Sequence, residues 1–213
     1  MNEAARSAAY VVDDDESIRA LWQWLMQSRG IDVHTFASAA DFIAAYRDAG
    51  AACLVLDLHL PDMSGLELQQ HLRSRSVEIP IVFVTGHGDV PTAVSALKSG
   101  AVDFIQKPFD YRLAVQTVEK AIEHDREARV RRARRSEIDA RLALLTERER
   151  EVLERVVDGG QNKQIAGELG ISVKTVEVHR AKVMEKLAAT SLADLVQLML
   201  QRNQEGERDT GTS

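Results

Sequence analysis

Ala52-Cys53-Leu54-Val55-Leu56-Asp57, running on into Leu58-His59-Leu60-Pro61-Asp62-Met63-Ser64-Gly65, decides the reading of this chain. An unbroken apolar run ends on a carboxylate and gives way to a turn-rich stretch. Such a run suits a strand buried on both faces, as in a parallel sheet. Four more runs of the same kind surround it: Ala8–Val12, Asp32–Phe36, Ile81–Thr85 and Asp103–Gln106. Between them the apolar spacing is helical. Ile18, Leu21, Trp22, Leu25 and Met26 fall on one stripe at i, i+3, i+4 positions. Gly30, Gly50 and Gly100 stand where helices end, and Asp89 with Pro91 marks a helix start. Residues 8–121 therefore predict an α/β domain, a doubly wound five-stranded parallel sheet with helices on both faces.

Beyond it, residues 111–141 read as one long helix without Gly or Pro. Its first part shows an apolar face through Leu113, Val118 and Ile122. Over 122–141 charge dominates, with Arg129, Arg131, Arg132, Arg134 and Arg135 against Glu123, Asp125, Glu127, Glu137 and Asp139, which reads as a solvated helical linker. Residues 142–200 are purely helical in pattern, a small all-α domain of four helices: Glu147–Asp158, Asn162–Leu169, Val173–Leu187 and Leu192 to about Leu200. The polar segment 201–213 is expected to lack structure.

The chain has 213 residues, 45% hydrophobic and 28% charged, which suits a soluble globular protein of two modest domains. No apolar run approaches the roughly 18 residues of a membrane span. The start of the chain shows no leader-type apolar stretch, so a cytoplasmic location without membrane association is expected. Cys53, the single cysteine, reads as a small buried strand residue. The net charge of −6 gives no global support to nucleic-acid binding, so that reading rests on local placement.

In an open parallel sheet, sites form beyond the carboxyl ends of the strands. This chain places Asp13, Asp14, Asp15 and Glu16 after its first strand, Asp57 after the third, Thr85 at the fourth and Lys107-Pro108 after the fifth. Packed carboxylates repel and call for a cation; hard oxygen donors of this kind suit Mg2+. A carboxylate is also a nucleophile for an acyl phosphate, with metal and lysine to neutralise the phosphoryl oxygens. Asp15 and Glu16 fit better as a helix N-cap and first-turn charge than as ligands.

The blocks Val11-Val12-Asp13-Asp14-Asp15, Leu56 to Gly65, Val84-Thr85-Gly86-His87-Gly88 and Lys107-Pro108-Phe109 together resemble response-regulator receivers, over about residues 8–121. The resemblance implies a flavodoxin-like sheet in the order 2-1-3-4-5. It implies Asp57 as phosphoacceptor, Asp14 as direct Mg2+ ligand, Asp13 acting mostly through water, and the backbone carbonyl of His59 completing the protein ligands. Thr85 would follow the phosphoryl group inward and Phe104 would rotate with it, although Phe104 also reads as an ordinary core aromatic. Lys107-Pro108 is expected to be cis. His59 and His87 would tune water access and so the lifetime of the acyl phosphate. A flavodoxin would need a phosphate-cradling loop where three aspartates stand. A haloacid-dehalogenase-type phosphatase would need a second aspartate at His59.

Asn162–Leu169, a turn at Gly170 and Val173–Leu187 have the spacing of a helix-turn-helix. At about 100° per residue, Val173, Val176, Val183, Met184 and Leu187 share a core face, while Lys174, Thr175, Val178, Ala181 and Lys182 face away. That outward face suits a DNA major groove. An ordinary helical hairpin is the bland alternative. Leu145 to Leu153, Asn162 to Ala166 and Lys174 to Arg180 resemble the LuxR-type DNA-binding domain, and the whole chain is similar to the NarL/FixJ class, FixJ type above all. By that resemblance Lys174, Thr175, Val178 and Lys182 read the site, and Lys163 and Arg180 contact phosphates. Glu177 is a flank candidate for a cytosine, and His179 is structural. The resemblance implies a transcription regulator, not an enzyme, catalysing only its own phosphoryl transfer and autodephosphorylation. Its implied partners are a sensor histidine kinase, double-stranded DNA, a second copy when phosphorylated, and RNA polymerase. A stand-alone phosphotransfer sink and an RNA-binding antiterminator are the rival readings.

Overall fold

A computed structural model describes residues 7–86 and 90–210, with side chains up to residue 202. The chain divides into two compact units, Met1–Arg129 and Val130–Ser213.

In the first unit, strands β1 (Ala8–Val12), β2 (Asp32–Phe36), β3 (Ala52–Leu56), β4 (Ile81–Thr85) and β5 (Asp103–Gln106) form one parallel sheet in the order β2-β1-β3-β4-β5. The alternation of side chains along each strand feeds two apolar layers. Ala9, Val11, Cys53, Val55, Val82 and Val84 pack on one side with Trp22, Leu25 and Met26 of α1 (Glu16–Gln27) and Ala114, Val115, Val118, Ala121 and Ile122 of α5 (Tyr111–Ala143). Tyr10, Val12, Leu54, Leu56, Ile81 and Phe83 pack on the other. There they meet α2 (Ala39–Ala45), α3 (Gly65–Ser74) and α4 (Val90–Lys98). Cys53 is free and buried, and burial raises its thiol pKa far above the ordinary value, as expected for an inert core residue.

Local chemistry explains the helix starts. Asp15 accepts from the Ser17 N–H, and Ser64 forms a capping box with Glu67. Asp62 accepts from the N–H groups of Ala39 and Ala40 at 3.2 and 2.8 Å, so the loop after β3 caps α2 from outside the helix. Gly30 and Gly100 end their helices at φ +71° and +87°. Gly50 does not: α2 stops at Ala45, because Tyr46 turns extended, and Gly50 stands in the loop before β3. Leu113 is a second departure, 65% exposed, since the buried stripe of α5 runs instead through Ala114, Val115 and Val118. Asp89 and His87 lie outside the described residues.

Helix α5 is less solvated than its charge suggests. Buried Asp125 accepts from the Ala52 N–H at 2.9 Å and from Arg129 Nε at 2.7 Å. Arg129 also pairs with Asp48 at 2.5 Å. Farther along, Ile138 is buried, and Asp139 accepts from Arg202 at 2.6 Å.

The second unit adds α6 (Glu147–Val157), α7 (Asn162–Leu169), α8 (Val173–Lys186) and α9 (Leu192–Thr210). Its core gathers Leu145, Val152, Leu153, Val156, Ile165, Val176, Val183, Leu187 and Leu195. Gly170 closes α7 in the left-handed region, and Ser172 caps α8. Val173 leaves the core face assigned to it and is 40% exposed, because a first-turn residue has no preceding helical turn to shelter it. The last helix outruns its apolar pattern by ten residues: 201–210 are helical rather than structureless, in keeping with the helix propensity of Gln, Arg and Glu there. Residues 211–213 lie outside the described residues. Among the described residues, no helix is long and apolar enough to cross a membrane.

Candidate functional site

The loops leaving β1, β3 and β5 meet at the carboxyl edge of the sheet. Asp13 and Asp57 are buried, and Asp14 is exposed. One oxygen from each of the three carboxylates lies within 4.8 Å of the other two. Lys107 bridges the buried pair, its Nζ 2.6 Å from Asp13 Oδ2 and 2.7 Å from Asp57 Oδ2. Burial acts in opposite directions on the two groups, yet both pKa values end above their ordinary values. Burial raises the Asp13 pKa, more than its hydrogen bonds from Lys107 and the Asp15 N–H lower it. Burial works to lower the Lys107 pKa, but hydrogen bonds and charge from Asp13 and Asp57 outweigh it and leave the ammonium above its ordinary value.

The surrounding backbone fixes these groups. The His59 N–H donates to Asp57 Oδ1 at 3.1 Å. The Lys107 N–H donates to the Thr85 carbonyl at 2.8 Å, so the lysine loop is tied to the end of β4. Thr85 is buried, and Lys107-Pro108 is cis. Phe104 is half-buried, opposite Phe83 in register, against the layer that holds α4. His59 itself is exposed.

Two contributors escaped the sequence reading. A Cβ on Gly65 would stand 2.4 Å from the Asp57 carbonyl oxygen, so the loop after Asp57 closes only over a glycine. Arg19 of α1 donates to the carbonyls of Asp13 and Asp14 at 2.8 and 2.9 Å. The need for glycine at Gly65 comes from the close approach of the Asp57 carbonyl, which the local sequence does not reveal, and no local spacing marks Arg19.

In the second unit, Lys163, Lys174, Val178 and Lys182 are exposed. Thr175 is half-buried and its hydroxyl lies 2.8 Å from that of the Ser172 cap. Arg180 donates to Asn162 Oδ1 at 2.7 Å, which joins α8 to α7 and engages part of its guanidinium within the domain. His179 Nδ1 is buried, as suits a structural role.

A carboxylate cluster bridged by a lysine at the carboxyl edge of a 2-1-3-4-5 sheet, joined to a helix-turn-helix unit, defines a signal-receiving DNA-binding regulator as a class. The family description "Response regulator receiver domain" matches residues 9–119, and "Bacterial regulatory proteins, luxR family" matches 143–199. The transcriptional regulatory protein FixJ of Rhizobium meliloti (strain 1021) is 46% identical over 191 residues, covering 90% of this chain and 94% of that protein. The response regulator protein TodT of Pseudomonas putida is 40% identical over 192 residues, covering 90% and 85%. The solved structure of the response regulator StyR superposes with a TM-score of 0.83 at 43% identity, covering 92% of this chain and 100% of that one. The chain belongs to the two-component response regulators, as a FixJ-like transcription regulator with a LuxR-type DNA-binding domain.

Proposed function

We propose that Asp57 accepts a phosphoryl group from a phosphohistidine of a sensor kinase, and that this modification controls dimerisation and sequence-specific binding to duplex DNA. The carrying observation is the bridge Asp13–Lys107–Asp57, which puts a nucleophilic carboxylate beside a fixed ammonium at the sheet edge. An Asp57 oxygen attacks phosphorus, the N–P bond breaks, and the kinase histidine leaves with the electron pair. Lys107 neutralises charge on the transferred oxygens, and the Thr85 hydroxyl bonds a further one. One ammonium in contact with a cluster of three carboxylates leaves negative charge that a divalent cation would offset, and the donors are hard oxygens. Asp13, Asp14, Asp57 and the His59 backbone carbonyl would hold Mg2+, which when bound screens the carboxylate from the incoming phosphoryl group.

Thr85 moving toward the phosphoryl group draws Phe104 inward, and the surface of α4 and β5 changes. The change is a population shift between two states of the receiver. In the second unit, Lys174, Thr175, Val178 and Lys182 read bases in the major groove, with Lys163 and the remaining donors of Arg180 on phosphates. The protein works in the cytoplasm, with RNA polymerase as a further partner. The test is mass spectrometry after incubation with acetyl phosphate and Mg2+, with sizing and DNA binding in beryllofluoride. A hydroxylamine-labile phosphoryl adduct on Asp57, absent from Asp57→Asn, is expected. No adduct in the wild-type protein ends this reading.

A further inference from the structure

The loop that carries Lys107 runs two residues on into Phe109, which forms an aromatic pair with Trp22 that phosphoryl transfer itself leaves unused. Trp22 of α1 is fully buried, and its ring lies 5.6 Å from that of Phe109, tilted by 29°. Phe109 is two residues beyond Lys107 and packs into the same apolar layer as α1. Its other edge meets Tyr111 at 5.8 Å. The Trp22 Nε1 has no hydrogen-bond partner among the described residues, so packing and stacking hold the indole. An unpaired buried donor is a cost that a phenylalanine would avoid. What the larger ring adds at this position is stacking area against Phe109.

The same helix also holds the backbone of the loop after β1. Arg19, one turn before Trp22, bonds the carbonyls of Asp13 and Asp14. Both ends of the Lys107–Asp13 ion pair are therefore anchored on α1, one through a guanidinium and the other through a ring stack. Lysine is a flexible point charge on a long stem, and its value at a reacting phosphoryl group depends on where its loop is fixed.

We propose that Trp22 is a positioning residue for phosphoryl transfer: stacked on Phe109, it fixes the loop that aims the Lys107 ammonium at Asp57. The proposal rests on Asp57 as phosphoacceptor. It predicts that Trp22→Leu and the milder Phe109→Leu each slow phosphorylation by acetyl phosphate in Mg2+ about tenfold, with little change in the half-saturating acetyl phosphate concentration. Trp22→Phe, which keeps a ring, returns the rate to within about twofold. In a Lys107→Ala background, Phe109→Leu has no further effect, because the loop no longer carries the group it positions. Phe109→Leu is the deciding variant, since half-buried Phe109 leaves less void than Trp22. A folded Phe109→Leu protein with the wild-type rate overturns the proposal, as does an equal slowing by Phe109→Leu with and without Lys107. Failure of the wild-type protein to take up phosphate instead removes the reading beneath it.

Discussion

Lys107 Nζ stands 2.7 Å from Asp57 Oδ2, and the same nitrogen holds Asp13, so one ammonium keeps two buried carboxylates together. Removing it leaves like charges facing one another in a desolvated edge. Lys107→Ala is expected to destabilise the first unit by about 1–3 kcal/mol in metal-free buffer, and Mg2+ is expected to restore part of that loss. Both tryptophans, Trp22 and Trp24, lie in the first unit, so urea unfolding followed by fluorescence reports on it. Equal stability of variant and wild type without metal would mean that the bridge contributes nothing to folding.

Gly65 decides whether the Asp57 loop can close. A Cβ there would meet the Asp57 carbonyl oxygen at 2.4 Å and the Phe83 ring at 3.0 Å, and backbone cannot yield as a flexible side chain does. Gly65→Ala is expected to cost about 2–4 kcal/mol. It should also reduce phosphorylation of Asp57 more than tenfold, because the displaced group is the backbone of the proposed phosphoacceptor. Urea titration and acetyl phosphate labelling check the two effects separately. A variant of wild-type stability would show that the loop relaxes freely.

The α/β half of the fold was legible because parallel strands announce themselves as short apolar runs, and because their carboxyl ends all fall on one edge. That geometry brings Asp13, Asp57, Thr85 and Lys107 to the same edge although they are far apart in the chain. Arg19, the stack of Trp22 on Phe109, and the grip of Asp125 and Arg129 on the sheet were not legible. Each depends on which helix lies over which loop, and residue spacing says nothing of that. Val173 departs from its wheel position because a helical wheel gives an angle but not the missing neighbour at a helix end. The helix over 201–210 is not legible from apolar periodicity, which stops there while intrinsic helix propensity does not.

The exposed lysines of α8 make a prediction that separates charge from base reading. Lys174 and Lys182, proposed to face the bases, also carry positive charge into a polyanionic groove, so each replacement by alanine lowers affinity for random-sequence duplex DNA as well. Each also reduces the slope of log affinity against log salt by about 0.9. Val178, 48% exposed on the same outward face, carries no charge. Val178→Ala should leave both the affinity for random DNA and the slope unchanged while weakening a specific site by about 1 kcal/mol. Fluorescence anisotropy over a salt series gives all three quantities. Slopes unmoved by the lysine changes would take α8 off the DNA.

Glu149 links acid to the stability of the second unit. Its carboxylate accepts from Lys186 Nζ at 2.6 Å and from the Thr146 N–H at 2.9 Å, and these bonds hold its pKa down to about 2. An unfolded glutamate titrates near ~4.3. Because the folded value is the lower one, the unfolded chain binds the proton first as pH falls. The ionised form therefore contributes its full stabilisation above pH ~4.3, and the contribution drains away as pH drops through about 2. Glu149→Gln keeps the size of the side chain but loses the charge that holds Lys186. The variant is expected to be about 1–3 kcal/mol less stable than wild type at pH 7, with the gap narrowing steadily below pH ~4. Far-UV circular dichroism follows the helices of both units, and tryptophan fluorescence, which reports on the first unit alone, separates out the loss that belongs to the second. A gap that stays constant from pH 7 down to pH ~3 would mean that the ion pair is not what lowers this carboxyl group.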